Sequence, residues 1–350
     1  FILCRLMLTM TYLSYYKAPP WNQDLWISCI LSLPMHILLT LPVYFLARRF
    51  KSLSVIQSAE VILGPVGKLV GALYIWFFLH RTSIVLREFG EFLTAIFYPE
   101  TPILVFIGII ALFAAYAVRN GIETICRVGQ IVLPIILFSV LLVIALLIQD
   151  MDLKNLSPIL ERGIAPILYG AFVVASRTAV ILFVLMLIPY INIPKKLKNY
   201  LNIGFLTLTV YLTAFSIITA GIFGVEQAKI LVFPFYYAVR LISIGDFLER
   251  IDAIFVAIWV LGMFINAAIH YYLTVLGTAQ LLKLQDYRPI VLPMGIIIVS
   301  LSISQSESMI ALNEFLSYEI YTWYVLFFTV ILTSFLLIVA VIRKKGADSG

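Results

Sequence analysis

Several charged and polar side chains stand inside stretches that are otherwise apolar. Arg5 lies in the first such run. His80, Arg81, Arg87, Glu88 and Glu91 share another, Arg177 interrupts a third at its middle, and Asn266 and His270 fall within a fourth. In an apolar medium each charge is costly unless it is paired or faces water, so such residues mark ligand paths, ion relays or one another's partners. On a helix, Arg81 and Glu88 would share a face, as would His80 and Arg87, and Asn266 and His270. Pairing alone accounts for part of the set: Arg87 with Glu91 one turn on, and Arg81 or Arg177 with Glu88. Arg5, Arg81 and Arg177 against the single carboxylate of Glu88 leave a positive surplus, and a planar guanidinium matches a ligand carboxylate. His270 fits a packing histidine as well as it fits a ligand contact.

The elements that carry these residues follow from composition. Of 350 residues, 63% are apolar and 12% charged, against about 45–50% and 25% in soluble globular chains. That excludes disordered, secreted disulfide-rich and ordinary cytosolic classes and leaves the bilayer as partner. The net charge of +6 reads as topology, not as a nucleic-acid footprint. Cys4, Cys29 and Cys126 show no metal-ligand or disulfide spacing, and no cofactor fingerprint is present.

Apolar runs fall near 1–16, 24–47, 67–97, 102–118, 126–149, 164–190, 200–223, 252–281, 288–305 and 321–342. Runs of this length predict helices rather than barrel strands, so the expectation is an all-α polytopic membrane protein of ten spans. Residues 1–16 read as what remains of a first span, not as a signal peptide. Alternate connections differ in Lys and Arg. One set includes Arg48, Arg49, Lys51, Lys68, Lys195, Lys196, Arg343, Lys344 and Lys345, while the other is sparser and mixed with acids. The richer side is expected to be cytoplasmic, with both termini on it. Trp21, Trp26 and Trp323 fall at the opposite ends, where an aromatic belt belongs.

The longest runs, the third and the eighth, each follow a semi-polar connection (49–66 and 224–251). This sets the first five spans in register with the last five. The expectation is one transmembrane domain with halves at about 1–150 and 151–342, a five-plus-five inverted repeat, and a tail at 343–350. In such repeats the first helix of each half is broken and the ligand sits at the break. The sixth run fits, with Gly163, Pro166, Gly170, Ser176, Arg177, Thr178 and Pro189. The first retains Arg5, Thr9, Thr11 and Tyr12. The expected ligand set is Arg5, Thr9, Tyr12, Arg81, Glu88, Gly170, Ser176, Arg177, Thr178, Asn266 and His270. Gly64, Gly67 and Gly71 read as close-approach residues. Asp246, Glu249 and Asp252 read as helix-start acids, and 233–241 as an amphipathic segment along the outer interface. No HExxH, GxSxG or P-loop is present, so an enzyme is not expected.

Four stretches carry a resemblance. FPFYYAVRLISIGDFLERIDAIFVAIWVLGMFI (233–265), NGIETICRVGQIVLPI (120–135), NQDLWIS (22–28) and LIPYINIPKKLKNY (187–200) resemble, in order and spacing, the spore germination permease-like proteins. These are the B subunits of spore nutrient-germinant receptors, a branch of the amino acid–polyamine–organocation transporter superfamily. The resemblance implies a broken-helix inverted repeat in the spore inner membrane. It also implies a sensor of a small nutrient, an amino acid above all, acting beside an A subunit and a lipoprotein C subunit. The pocket would use the breaks around Arg5 to Tyr12 and Gly170 to Thr178. Two features depart from the wider pattern: Leu6 to Tyr12 holds no glycine, and Ser176-Arg177 stands where an acid is often met. The rival readings are a proton- or cation-coupled amino acid transporter using Glu88, and a scaffold or channel subunit whose polar groups pair with each other.

Overall fold

The computed structural model describes residues 2, 4, 15–177, 181–191, 196–242 and 251–346. Every extended element among the described residues is helical: α1 (Leu25–Arg49), α2 (Val55–Leu63), α3 (Gly67–Ile96), α4 (Ile103–Arg119), α5 (Ile122–Leu147), α6 (Ile164–Ser176), α7 (Leu182–Leu187), α8 (Leu197–Ile230), α9 (Pro234–Val239), α10 (Ile251–Leu281), α11 (Val291–Ser304), α12 (Met309–Phe315) and α13 (Tyr321–Ile342). Arg5, Thr9, Thr11, Tyr12, Thr178, Asp246 and Glu249 lie outside the described residues.

Among the described residues, six stretches are long and apolar enough to cross a bilayer: α1, α2 with α3, α5, α8, α10 and α13. The pair of α11, with its leading turn from Arg288, and α12 makes a seventh if it is one span, bent by 100°. Helices α4 and α6 are apolar but shorter, at 17 and 13 residues. At 1.5 Å per residue, α6 covers about 20 Å of a hydrocarbon core about 30 Å thick.

The chain divides into two compact units, Phe1–Leu39, Gln130–Thr178 and Lys198–Gly262 in one, Thr40–Gly129, Ala179–Leu197 and Met263–Gly350 in the other. In the first, Tyr16, Leu25, Cys29, Val174, Leu212, Ala220 and Ala228 form a buried core. Close packing there depends on Gly170: a Cβ on it would stand 2.5 Å from Pro19 O and 2.7 Å from Ser28 Oγ. Ser28 donates to Ile167 O at 3.0 Å, tying α1 to α6. Helix α9 corrects the expectation of an interfacial segment. Pro234, Phe235, Tyr236, Ala238 and Val239 are buried, and the Phe235 ring sits 4.3 Å from that of Phe215 and 5.7 Å from that of Phe255. Aromatic pairs of this kind contribute about 0.5–1.5 kcal/mol beyond the area they bury.

In the second unit, α2 is an element that the expected 49–66 connection did not anticipate. Ser54 starts it with a capping box: Ser54 Oγ accepts from Gln57 N–H, and Gln57 Oε1 accepts from Ser54 N–H at 3.1 Å. Gly64, at φ +67°, makes the turn into α3. A Cβ on Gly67 would meet Ala59 O at 2.1 Å, so the glycine permits the tight return of α3 against α2. Helix α3 packs on α2, α4 and α11. Residues 327–332 of α13 form a π-helical segment. There Thr333 Oγ1 donates to Phe328 O at 2.9 Å and meets the buried Tyr74 hydroxyl at 2.9 Å.

Candidate functional site

Helices α3 and α10 run antiparallel along a seam of small and polar residues. A Cβ at Gly71 would lie 3.3 Å from Leu281 Cδ1, and one at Gly277 would lie 3.2 Å from Ile75 Cγ1. Further along, the Thr82 and Thr274 hydroxyls meet at 3.1 Å. Continuing this register brings His270 and Asn266, one and two turns before Thr274, beside the turns of α3 that carry Ile84 to Glu88. The Asn266–His270–Thr274 line is itself hydrogen-bonded. His270 Nδ1 is 2.8 Å from Asn266 O, and Thr274 Oγ1 donates to His270 O at 2.9 Å.

On α3, Arg81 Nη2 lies 3.7 Å from Glu88 Oε2, both side chains almost fully buried. The Arg81 guanidinium also lies over the Tyr321 ring, 5.7 Å from its centroid, a cation–π contact strengthened by exclusion of water. An aromatic group adjoins it. His80 Nδ1 is 2.9 Å from the Tyr324 hydroxyl, and the Phe315 ring packs against His80, Tyr321 and Tyr324 at 5.2–5.9 Å. The His270 ring meets Phe183 edge-on at 4.7 Å.

Arg87 works at the other end of this face. It donates to Glu91 Oε1 at 2.8 Å and reaches the carbonyls of Ser302 and Ile303 at 3.4 and 3.2 Å. These belong to the last turn of α11, where carbonyls lack helical partners and carry partial negative charge. Ser83 Oγ donates to Gln305 Oε1 at 2.9 Å just beyond that end.

Several buried polar atoms find no hydrogen-bond partner among the described residues: Arg81 Nη1, both amide atoms of Asn266, His270 Nε2 and Thr322 Oγ1. Asn266 is wholly buried and His270 nearly so. Buried polar atoms are nearly always satisfied, and a concentration of exceptions marks a place where something else supplies the partners. This group offers donors for an anion from Arg81, an amide that can both donate and accept, and a carboxylate beside them.

The arrangement thus brings Arg81, Glu88, Asn266 and His270 of the expected set to one seam. Ser176 and Arg177 lie in the other unit, at the end of α6. The Ser176 hydroxyl donates to Val173 O at 2.9 Å, and Arg177, half-buried, caps the helix with its backbone N–H. Gly170 serves the close packing of α6 against Pro19 and Ser28. Thr82, Thr274, Phe315, Tyr321 and Tyr324 were absent from the expected set. Thr274 continues the four-residue spacing of Asn266 and His270 and was legible in it; Phe315 and Tyr321 are brought in only by tertiary structure. Among the described residues no group of His, Cys, Asp and Glu could hold a metal ion.

The fold and the seam define an all-helical membrane protein with several apolar candidate spans and a polar, partly unsatisfied buried face. A family model described as "Spore germination protein", of the spore permease type, matches residues 1–310, and the chain belongs to that family. Among curated proteins it is 29% identical over 335 residues to spore germination protein KB of Bacillus subtilis (strain 168), covering 93% of this chain and 89% of that one. It is 28% identical over 279 residues to the putative spore germination protein YfkT of the same organism, covering 78% and 75%. It is 25% identical over 193 residues to spore germination protein XB of Bacillus anthracis, covering 55% and 53%.

Proposed function

We propose that the chain is the permease-like membrane subunit of a nutrient-germinant receptor. Its ligand is a small nutrient, an amino acid, recognised at the α3–α10 seam. The observation that carries this reading is the set of partnerless buried atoms on Arg81, Asn266 and His270 beside the Glu88 carboxylate. A free amino acid brings a carboxylate for the Arg81 guanidinium and an ammonium for Glu88, and both pairings are charge-assisted. The site acts by preference: a nutrient that binds one conformation more tightly raises its population, and moving a receptor from rare to dominant activity needs about 5.5 kcal/mol of differential binding.

The finer architecture belongs to the same proposal. It comprises ten spans in a five-plus-five inverted repeat, both termini cytoplasmic, the spore inner membrane as location, and A and C subunits as partners. The breaks in the first and sixth spans, with Arg5, Thr9, Tyr12, Gly170, Ser176, Arg177 and Thr178, complete the expected ligand set. Substitution at Arg177 tests them separately from the seam.

The test is nutrient-triggered germination of spores carrying R81Q, E88Q or N266A, with the amount of the subunit in spore membranes measured alongside. A changed nutrient preference or threshold at normal protein level supports the reading. Unchanged responses in all three overturn it. Accumulation of labelled amino acid by the purified chain in proteoliposomes would instead make it a transporter.

A further inference from the structure

Three of the buried atoms that find no hydrogen-bond partner among the described residues stand on one face of α10: Asn266 Oδ1, Asn266 Nδ2 and His270 Nε2. The two side chains are one turn apart, a spacing that sets Cβ atoms about 5–6 Å from each other, and both are buried. His270 Nδ1 lies 2.8 Å from the Asn266 carbonyl. A carbonyl only accepts, so Nδ1 carries the ring proton, and in the neutral ring Nε2 is an acceptor. The Phe183 ring packs edge-on against the imidazole at 4.7 Å. The face therefore presents two acceptors, Asn266 Oδ1 and His270 Nε2, and one donor, Asn266 Nδ2.

Arg81 is within electrostatic reach of the His270 ring, which places this face beside the Arg81–Glu88 pair. With the α-carboxylate and α-ammonium of an amino acid taken by Arg81 and Glu88, the three α10 atoms are left for its side chain. A side chain that covers them without pairing incurs the cost of unmet buried polar groups. An apolar side chain pairs with none of the three. A hydroxyl has one donor and leaves one acceptor unmet. A carboxylate has no donor and turns its lone pairs on both acceptors. An ammonium or guanidinium has no acceptor for Asn266 Nδ2. A primary carboxamide has one oxygen and two N–H groups. Its oxygen and one N–H complete a paired amide–amide contact with Asn266, and the other N–H points away from that pair, toward His270 Nε2.

We infer that the nutrient is an amino acid whose side chain ends in a primary carboxamide, as in asparagine and glutamine, and that Asn266 and His270 read that group. The inference rests on the reading of the seam as an amino acid site and adds which side chain the site selects. Arg81 and Glu88 meet groups common to every amino acid; Asn266 and His270 meet the group that sets one apart. A site built to pair with N–H groups rejects an analogue that lacks them, because its own buried acceptors are then left unpaired.

The test is equilibrium binding of radiolabelled amino acids to the full chain in phospholipid nanodiscs. The probes are asparagine and glutamine, the matching acids aspartate and glutamate, and the apolar residues leucine and alanine. Asparagine or glutamine is expected to bind at least about tenfold more tightly than its acid and than leucine, the factor for one buried atom left unpaired. R81Q and E88Q should weaken every amino acid that binds. N266L and H270F should weaken the carboxamide ligand about tenfold and narrow its margin over leucine. The comparison of ligands is made on wild type, so it stands even where a variant fails to fold. Binding of an acid or an apolar amino acid as tight as that of the amides, and lost in R81Q and E88Q, overturns the carboxamide and leaves the amino acid site in place. Binding of no amino acid, or binding that R81Q and E88Q leave unchanged, overturns the amino acid site and the carboxamide with it. A full preference for the amides in folded N266L and H270F overturns the assignment of these two residues.

Discussion

Arg87 joins α3 to the end of α11 in the second unit, and removing it tests whether α11 is held where it is by charge. The side chain is buried, its ion pair with Glu91 measures 2.6 Å, and Glu91 is itself only 13% exposed. Arg87→Met keeps most of the apolar stem but strands a nearly buried carboxylate and uncaps the carbonyls of Ser302 and Ile303. Breaking a buried pair on one side costs about 3–5 kcal/mol. Arg87→Met with Glu91→Gln removes both charges, leaving the loss of the carbonyl contacts, about 1–2 kcal/mol. The double variant should therefore be more stable than Arg87→Met alone by about 2–3 kcal/mol, which makes the two changes non-additive. Equilibrium unfolding of the reconstituted chain in denaturant, followed by tryptophan fluorescence, measures all four corners of the cycle. A double variant no more stable than Arg87→Met would refute the reasoning, because the stranded carboxylate would then not be the source of the cost.

Other substitutions test the seam and the packing. Asn266→Leu replaces a wholly buried amide whose atoms lack partners with an apolar group of similar size; stability should rise by about 1–3 kcal/mol in unfolding measurements while nutrient response is lost. Gly170→Ala drives a methyl group into Pro19 O and Ser28 Oγ, and should destabilise by about 1–3 kcal/mol in the same assay. Phe235→Ala empties the centre of a three-ring cluster and should cost about 3–5 kcal/mol, visible as a lower unfolding midpoint.

Much of the helical framework could be read directly. The apolar run at 67–97 coincides with α3, and those at 24–47, 102–118, 126–149, 252–281 and 321–342 each fall on one helix, because lipid leaves the backbone few alternatives. What escaped was local or tertiary. Helix α2 reads as a connection because the apolar content there is diluted by Ser54, Gln57, Ser58 and Glu60, although the Ser54–Gln57 spacing announces a capping box. The segment 233–241 has the alternation of an interfacial helix, yet ring packing among Phe215, Phe235 and Phe255 buries it. At the site, seven-residue spacing brought Arg81 to Glu88 and four-residue spacing brought Asn266 to His270. That Tyr321 would lie against Arg81, and Phe315 beside it, depends on the bend between α11 and α12, which no periodicity encodes.

The π-helical segment at 327–332 sets the phase of everything after it. A regular helix advances about 100° per residue, and a π-turn accommodates what amounts to one added residue. Deleting one residue there would let α13 close into a regular helix and rotate its last turns by about 100°. Leu336 and Ala340 would leave the core, and Arg343 would swing away from the Ile62 carbonyl. The irregularity therefore acts as a rotational setting, chosen near the middle of the helix, that aims the far end of the chain.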